Sequence, residues 1–306
     1  MDRGEPITSS KIAAGLLTPI TGKKLSLTPR WVELSTAAKR FYCEIESRTG
    51  AKFFHSRSIV RILADEREAE LFESKVDAPF REEAEPIELA ESELALAPFG
   101  AFEMRGAYRL DTGEYLRASR EYFESLGLWE RRECSSPSSG ITIFCTGYAP
   151  SVRARFPALK FRAAKGEIIT VRLPEWFECR TFNRRGYWLA PTGEPYIYRA
   201  GATYSWHALD SNPTPEGRVE ILRELQNWYR GNVQVLDHVA AVRPIAVGHK
   251  PILGLHPDHL ELGLFNGLGS KGSLFAPFYA EQFAAFLNGE GKLESEVDYS
   301  LRVANS

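Results

Sequence analysis

The stretch LELGLFNGLGSKGSLFAPFYAEQFAAFL, residues 260–287, reads as a strand, a glycine turn and an apolar helix. Its glycines Gly267, Gly269 and Gly272 follow the spacing GxGxxG. In a dinucleotide-binding βαβ unit, the Asp or Glu of a second strand follows such a turn by about 20 residues. Here residues 288–306 follow, and they contain no convincing apolar strand. The stretch therefore predicts a turn whose backbone N–H groups approach an anionic ligand at a helix N-terminus.

Composition limits the class of protein. The 306 residues are 43% hydrophobic and 25% charged, as expected for one large globular domain or two intertwined ones. The net charge of −2, without a long Lys/Arg block, argues against nucleic acid as the main partner. No run of 18 apolar residues or signal peptide is present, so we expect a cytoplasmic protein without a membrane anchor. The cysteines and histidines form no metal-ligand pattern, so no metal is expected.

The hydrophobic periodicity predicts a mixed architecture. Helices are predicted at residues 31–50, 65–73, 115–126 and 215–229, and strands at residues 53–63, 141–145 and within 238–255. Residues 167–173, 186–191 and 195–202, separated by turn residues, predict an antiparallel block. The acidic residues 82–93 are predicted to be an irregular surface segment. The pattern indicates an α/β protein of two interleaved domains.

Short motifs recur in a fixed order along nearly the whole chain. They are SSKIAAGLLTPITG at 9–22, IFCTGYAP at 143–150, KGEIITV at 165–171, GYWLAP at 186–191, AGATYS at 200–205, AVRPIAVGHKPILG at 241–254 and NGLGSKGSLFAP at 266–277. Together they resemble the D-amino acid oxidase superfamily of FAD-dependent oxidoreductases, which includes glycine oxidase and sarcosine oxidase. The resemblance implies a discontinuous, Rossmann-like FAD-binding domain and an interleaved antiparallel β domain for the substrate. We assign residues 1–52, 108–160 and 238–306 to the former and residues 53–107 and 161–237 to the latter.

The resemblance also implies which residues bind the cofactor. Asp2 would hold the adenosine ribose, residues 9–15 would run along the pyrophosphate and ring, and the closing turn would face the flavin. The predicted cofactor-binding residues are Asp2, Ser9, Ser10, Ala13, Ala14, Gly15, Thr146, Gly147, Gly254, Gly267, Gly269, Ser270, Lys271, Gly272 and Ser273. Some members tether FAD through a cysteine near the closing turn. Because no cysteine follows Cys179, we expect non-covalent FAD.

Arg243 resembles the arginine before proline that pairs with the substrate carboxylate in amino-acid oxidases. A guanidinium suits this role because two parallel N–H bonds fix both charge and orientation; an ordinary ion pair is the alternative. Tyr187 and Trp188 are neighbours on a strand, so one of them should face the flavin. Trp188 stands where these oxidases have a tyrosine hydroxyl, which Tyr204 would supply instead unless it only packs. No protein group is predicted to act as the catalyst, because the flavin takes the hydride.

The chain departs from the family pattern at its start. The family's first strand, GxGxxG turn and helix, roughly 30 residues of a βαβ unit, do not precede residue 1. Two explanations stay open: a gene start placed too late, which we favour, or a trimmed form.

The sequence thus predicts an FAD-dependent enzyme that oxidises an amine or amino acid by hydride transfer, with oxygen or another acceptor taking the electrons. One alternative is a non-catalytic remnant of such an oxidase. Another is a flavin oxidase that acts on a modified tRNA base, against which the lack of a basic face speaks.

Overall fold

The computed structural model describes residues 1–89, 96–132, 140–157 and 159–304. The helices are α1 Ser9–Ile12, α2 Trp31–Thr49, α3 Glu66–Ser74, α4 Ala78–Glu83, α5 Thr112–Ser125, α6 Pro150–Arg155, α7 Pro215–Gln226, α8 Gly272–Leu287 and α9 Tyr299–Ala304. The strands are β1 Leu16–Leu17, β2 Ile20–Thr21, β3 Ser26–Leu27, β4 Phe54–Ser56, β5 Ile59–Ile62, β6 Ala84–Ile87, β7 Ala101–Met104, β8 Tyr108–Leu110, β9 Thr142–Phe144, β10 Ala164–Arg172, β11 Thr181–Arg184, β12 Tyr187–Pro191, β13 Ile197–Gly201, β14 Gln234–Arg243, β15 Ile252–Leu255 and β16 Leu262–Asn266.

The largest sheet has eight strands in the order β14-β10-β13-β12-β11-β5-β7-β6. Its pairs are antiparallel except β11 with β5. Because side chains alternate along a strand, β10 presents Ile169 and Val171 to the core formed with α7, and Gly166 and Ile168 to the opposite face. The predicted antiparallel block is confirmed, and this opposite face becomes one wall of the cavity described below.

Smaller sheets lie beside it. In the sheet β15-β16-β9, strand β16 runs parallel to β9 and antiparallel to β15, and the sheet β1-β8-β4 is antiparallel. The predicted strand, glycine turn and helix are present as β16, residues 267–271 and α8. The α/β class with an interleaved antiparallel sheet is therefore confirmed. Strand β14 crosses residue 238, one of the proposed domain boundaries, and the division into domains stays a proposal.

Helix α2 shows how the local sequence sets an element. Leu34, Ala38 and Tyr42 recur at intervals of four and are buried on one face, which packs against α8. The helix ends at Thr49 and is capped by Gly50, whose φ of 72° glycine adopts without strain and whose N–H donates to the Glu46 carbonyl at 2.9 Å. The predicted helix is confirmed, with its predicted terminal glycine as the capping residue.

Two local predictions are wrong. Residues 53–63 were predicted as one strand, but β4 pairs with β8 in a small sheet, whereas β5 lies in the large one. The chain changes sheets at Arg57, whose N–H bonds to the Ala107 carbonyl. The acidic segment is also partly regular, since β6 pairs with β7 at the sheet edge, where Pro86 is tolerated. Residues 90–93 of that prediction lie outside the described residues.

Over the described ranges, no helix is both long and apolar enough to span a bilayer. The same residues contain no grouping of His, Cys, Asp and Glu that would hold a metal ion.

Candidate functional site

A cavity of about 630 Å³ lies between the large sheet and the helices α1, α2, α5 and α8. Ligand pockets in proteins have volumes of roughly 300–1,000 Å³. The sheet side is formed by β10, β12 and β14, and the opposite side by residues 9–16 and by the turn that leads into α8. Small residues and backbone dominate at residues 9–16 and at the turn, whereas Trp188, Tyr204 and Arg243 reach in from the sheet side. Aromatic side chains from α2 and α5 complete the wall.

Arg243 lies at the end of β14, paired with Ala164 of β10. Its guanidinium extends across Gly166, where an added Cβ would come within 2.1–2.3 Å of the guanidinium atoms. Gly166 is thus the residue that leaves room for the arginine head. Gly166 was not predicted as a site residue, although a glycine inside a strand signals close approach of another group.

The charge of Arg243 has no carboxylate partner among the described residues. One Nη donates to the Thr203 carbonyl at 3.2 Å, and the guanidinium carbon lies 5.2 Å from the Tyr204 ring centre. Burial lowers the pKa of Arg243 from its ordinary value, and the Tyr204 hydroxyl partly offsets this. A guanidinium stays protonated in proteins. A desolvated cation that borders a cavity favours an anionic ligand there.

The glycine turn supplies backbone groups to the cavity. At the start of α8 the N–H groups of Gly272 and Ser273 have no acceptor in the described chain, because Lys271 provides no side-chain cap. Gly269, with a φ of 60°, also lines the cavity. These donors point a partial positive charge towards whatever lies before the helix.

Asn266 holds this turn in place, and it was not predicted to be a site residue. It is buried, its Nδ2 donates to the Gly147 carbonyl at 3.0 Å, and its Oδ1 accepts from the Gly267 N–H at 2.8 Å. The side chain therefore joins the loop after β9 to the loop after β16. A polar residue at the end of a buried apolar strand was the available signal.

The segment at residues 9–16 is fixed from two sides. Gly15 has a φ of 69°, and a Cβ there would lie 1.8 Å from the Leu110 carbonyl oxygen, so only glycine fits. From the large sheet, Arg199 donates to the carbonyls of Ile12 at 2.6 Å and Ala13 at 3.3 Å. Arg199 was not predicted as a site residue, because nothing in its own strand indicates that residues 9–16 lie beside it.

Cys145 is a further residue that was not predicted to be at the site. It follows β9 and lines the cavity. Its side chain is exposed towards the cavity, while the surrounding protein desolvates the thiol and raises its pKa to about 11. At neutral pH it is thus a protonated, weakly nucleophilic group.

The cavity brings together most of the predicted site residues. Those that line it are Ser9, Ser10, Ala13, Ala14, Gly15, Gly147, Trp188, Tyr204, Arg243, Gly269, Ser270, Gly272 and Ser273.

The other predicted residues are not among its lining. The Asp2 carboxylate accepts from the Gly4 N–H at 2.8 Å, and Gly254 in β15 lies against Tyr299. Gly267 packs on Ala246, and the Thr146 hydroxyl is buried without a hydrogen-bond partner among the described residues.

Lys271 and Tyr187 also point elsewhere. The Lys271 ammonium lies 3.4 Å from the Thr28 hydroxyl, and burial lowers its pKa. The Tyr187 hydroxyl bonds to the Glu220 carboxylate. Of the neighbouring pair on β12, Trp188 is therefore the one that faces the cavity.

Comparison with known proteins gives one family. Residues 1–286 match the sequence pattern of the family described as FAD dependent oxidoreductase (DAO). Similar solved structures include iminodiacetate oxidase from Chelativorans sp. BNC1, with 19% identity, a TM-score of 0.79 and coverage of 96% of this chain and 90% of that one. Glycine oxidase from Geobacillus kaustophilus has 20% identity, a TM-score of 0.74 and coverage of 95% and 88%. At these identities the likeness concerns the fold.

The similarity to curated relatives is confined to part of the chain. The tRNA 5-methylaminomethyl-2-thiouridine biosynthesis bifunctional protein of Idiomarina loihiensis is 31% identical over 111 residues, 35% of this chain and 18% of that protein. The protein of the same name from Acinetobacter baylyi is 26% identical over 167 residues, 50% of this chain and 25% of that protein. The matches thus span a quarter or less of the length of these relatives.

Proposed function

Because the chain belongs to the family of FAD dependent oxidoreductases, we propose that it oxidises a small amine or amino acid that carries a carboxylate. The family fixes FAD as the cofactor. The substrate class, the residues that bind it and the final electron acceptor are our proposals.

The cavity residues fit FAD. Gly15 is packed so closely on Leu110 that a Cβ would fill the space, which leaves backbone beside the cavity. The free N–H groups of Gly272 and Ser273 suit the acceptor atoms of a flavin ring or an anionic group. We assign cofactor binding to these residues and to Gly147 and Gly269. When bound, FAD supplies the acceptor for a hydride from the carbon next to the amine nitrogen.

Arg243 carries the substrate proposal. It is the guanidinium that borders the cavity without a carboxylate partner in the described chain, and a substrate carboxylate would supply the missing negative charge. The anchored carboxylate would fix one end of the substrate, while Trp188 and Ile168 line the sheet side and exclude water. Tyr204 lies beside the guanidinium and would limit how the carboxylate approaches.

The test is a panel of amines offered to the purified, FAD-loaded protein without oxygen. We expect carboxylated amines to bleach the yellow flavin absorption, and re-admitted oxygen or an added quinone to restore it. Amines that lack a carboxylate should bleach the flavin absorption far more slowly. A protein that holds FAD but is bleached by no amine would refute the proposed substrate class.

A second candidate is oxidation of a modified uridine in tRNA. The local matches to tRNA-modifying bifunctional proteins favour it, and the net charge of −2 weighs against it. Binding of unmodified and modified tRNA over a salt series would decide, because a phosphate-backbone contact weakens steeply as salt rises. No binding at low salt would eliminate this candidate.

The remaining alternative is a non-catalytic remnant. Such a protein would be purified colourless and would stay colourless after incubation with excess FAD. Flavin absorption that is retained after gel filtration and bleached by an amine would exclude this alternative.

A further inference from the structure

Two consecutive backbone donors in the wall of the cavity have no partner. The N–H groups of Ala13 and Ala14, which follow α1, find no acceptor in the parts of the chain that the structure describes. Both residues line the cavity and are half-buried. Backbone N–H groups inside a protein are almost always paired, with water or a ligand where the protein offers no acceptor. Two adjacent free donors therefore suit a ligand that is rich in acceptor atoms.

The carbonyl groups of the same two peptide units are held by the protein. One Nη of Arg199 donates to the Ile12 carbonyl at 2.6 Å, and the other donates to the Ala13 carbonyl at 3.3 Å. The Thr112 hydroxyl also donates to the Ala13 carbonyl, at 3.3 Å. In a planar trans peptide unit the C=O and the following N–H point in opposite directions. The contact of Arg199 with both carbonyls therefore turns the N–H groups of Ala13 and Ala14 away from the guanidinium.

The side chain of Arg199 is committed to these two carbonyls. It extends from β13, and no carboxylate lies within ion-pair distance of it among the described residues. Burial lowers its pKa, and the positive charge of Arg109 lowers it further. A guanidinium that is withdrawn from water is costly unless its donors are used. Because the guanidinium is planar and rigid, its two nitrogens fix two acceptors at once.

We propose that Arg199 is a positioning residue for the cofactor and that it orients the N–H groups of Ala13 and Ala14 towards acceptor atoms of FAD. The inference rests on the assignment of FAD to this cavity and does not depend on the proposed substrate. Arg199 is not among the residues that line the cavity, so it acts through the two peptide units. Donors that are oriented before binding reduce the entropy that FAD loses by ordering them.

The test is a calorimetric titration of the FAD-free 306-residue chain with FAD. We expect Arg199→Met to raise the Kd about tenfold or more, because residues 12–14 must then be ordered during binding. Arg199→Lys should stay within about threefold of the parent protein, because an ammonium group still donates to a carbonyl. If Arg199→Met does not fold, Arg199→Gln takes its place with the same expectation, since its shorter side chain cannot reach both carbonyls.

Arg109→Met is the matched control. Burial lowers the pKa of Arg109 as well, and one of its Nη atoms donates to the Pro191 carbonyl at 2.6 Å, which joins β8 to β12 of the large sheet. Neither Arg109 nor Pro191 is among the residues that line the cavity. We expect this variant to lower the melting temperature as Arg199→Met does, while its Kd for FAD stays within about twofold of the parent value.

Hydrogen–deuterium exchange of peptides that cover residues 9–16 follows the two donors themselves. In the parent protein FAD should slow the exchange of the Ala13 and Ala14 amides. At saturating FAD this protection should be weaker in Arg199→Met and unchanged in Arg109→Met.

The outcomes separate the role of Arg199 from the place of the cofactor. If the parent protein binds FAD and Arg199→Met keeps both its affinity and its protection, the role of Arg199 is refuted and FAD in the cavity stands. Equal losses of affinity in Arg199→Met and Arg109→Met would refute it too, because reduced stability would then explain both. A parent protein that binds no FAD, or in which FAD does not protect these amides, would overturn the assignment of FAD to this wall together with the role of Arg199.

Discussion

The two sides of the cavity are built on opposite plans. On the side of residues 9–16 and the turn before α8, glycines and serines bring backbone close, and free N–H groups supply the polarity. On the sheet side, large side chains reach across the small residues of β10. A ligand that is bound by backbone groups requires residues without a Cβ, so these positions tolerate almost no substitution. A ligand that is bound by side chains can be changed by substituting one residue at a time. We expect the first side to bind the cofactor and the second to select the substrate.

The largest effect should follow from Gly15→Ala, which changes the wall formed by residues 9–16. The new Cβ would meet the Leu110 carbonyl, and a φ of 69° is strained for alanine at a cost of about 1–3 kcal/mol before any clash. We expect loss of bound FAD and a clearly lower melting temperature.

Gly22→Ala is the control for this variant. Gly22 has a similar φ of 74° but open space around it. It should show the backbone strain alone, with FAD content unchanged. Equal losses in the two variants would mean that close packing at Gly15 does not matter for the cofactor.

Gly166→Ala changes the wall formed by the large sheet, which we expect to select the substrate. Its Cβ would occupy the place of the Arg243 guanidinium, and the flexible arginine would move by an ångström or more. Misplacement on this scale can cost about 100-fold in rate. We expect kcat/KM for carboxylated amines to fall by about that factor while FAD content stays near the parent value. Gly291→Ala, where a Cβ meets only an ordinary contact at 3.5 Å, should change neither quantity.

The contrast between the two sides explains what the sequence revealed. The turn at 267–272 and the segment at 9–15 were visible because glycine-rich backbone sites leave a local signature. Trp188 and Arg243 were predicted through their motifs, and both line the cavity. Arg199 and Asn266 were not, because their partners lie 187 and 119 residues away and only the fold brings them together. The change of sheet at Arg57 was also hidden, since only residues 57 and 58 separate β4 from β5 and neither is a glycine or a proline.

The smallest effect concerns Cys145, where the two sides meet. With its thiol pKa at about 11, the reactive thiolate is scarce at neutral pH and increases about tenfold per pH unit up to that value. In FAD-free protein, alkylation by iodoacetamide should follow this rise, and FAD should slow it by covering the cavity. Peptide mass spectrometry can follow Cys145 beside Cys43 and Cys179, which are exposed as well but lie outside the cavity lining, so FAD should not protect them. Equal labelling of Cys145 with and without FAD would show that FAD does not bind in this cavity.

The most direct measurement compares kcat/KM for a carboxylated amine and for its decarboxylated counterpart, in the parent protein, Arg243→Lys and Arg243→Ala. Removing one partner of a buried charge pair costs about 2–5 kcal/mol, which corresponds to a preference of at least about 30-fold. We expect the parent protein to prefer the carboxylated amine by that factor or more, Arg243→Lys to retain part of the preference, and Arg243→Ala to lose it with FAD still bound. An Arg243→Ala protein that keeps the full preference would contradict the assignment of Arg243 as the carboxylate anchor.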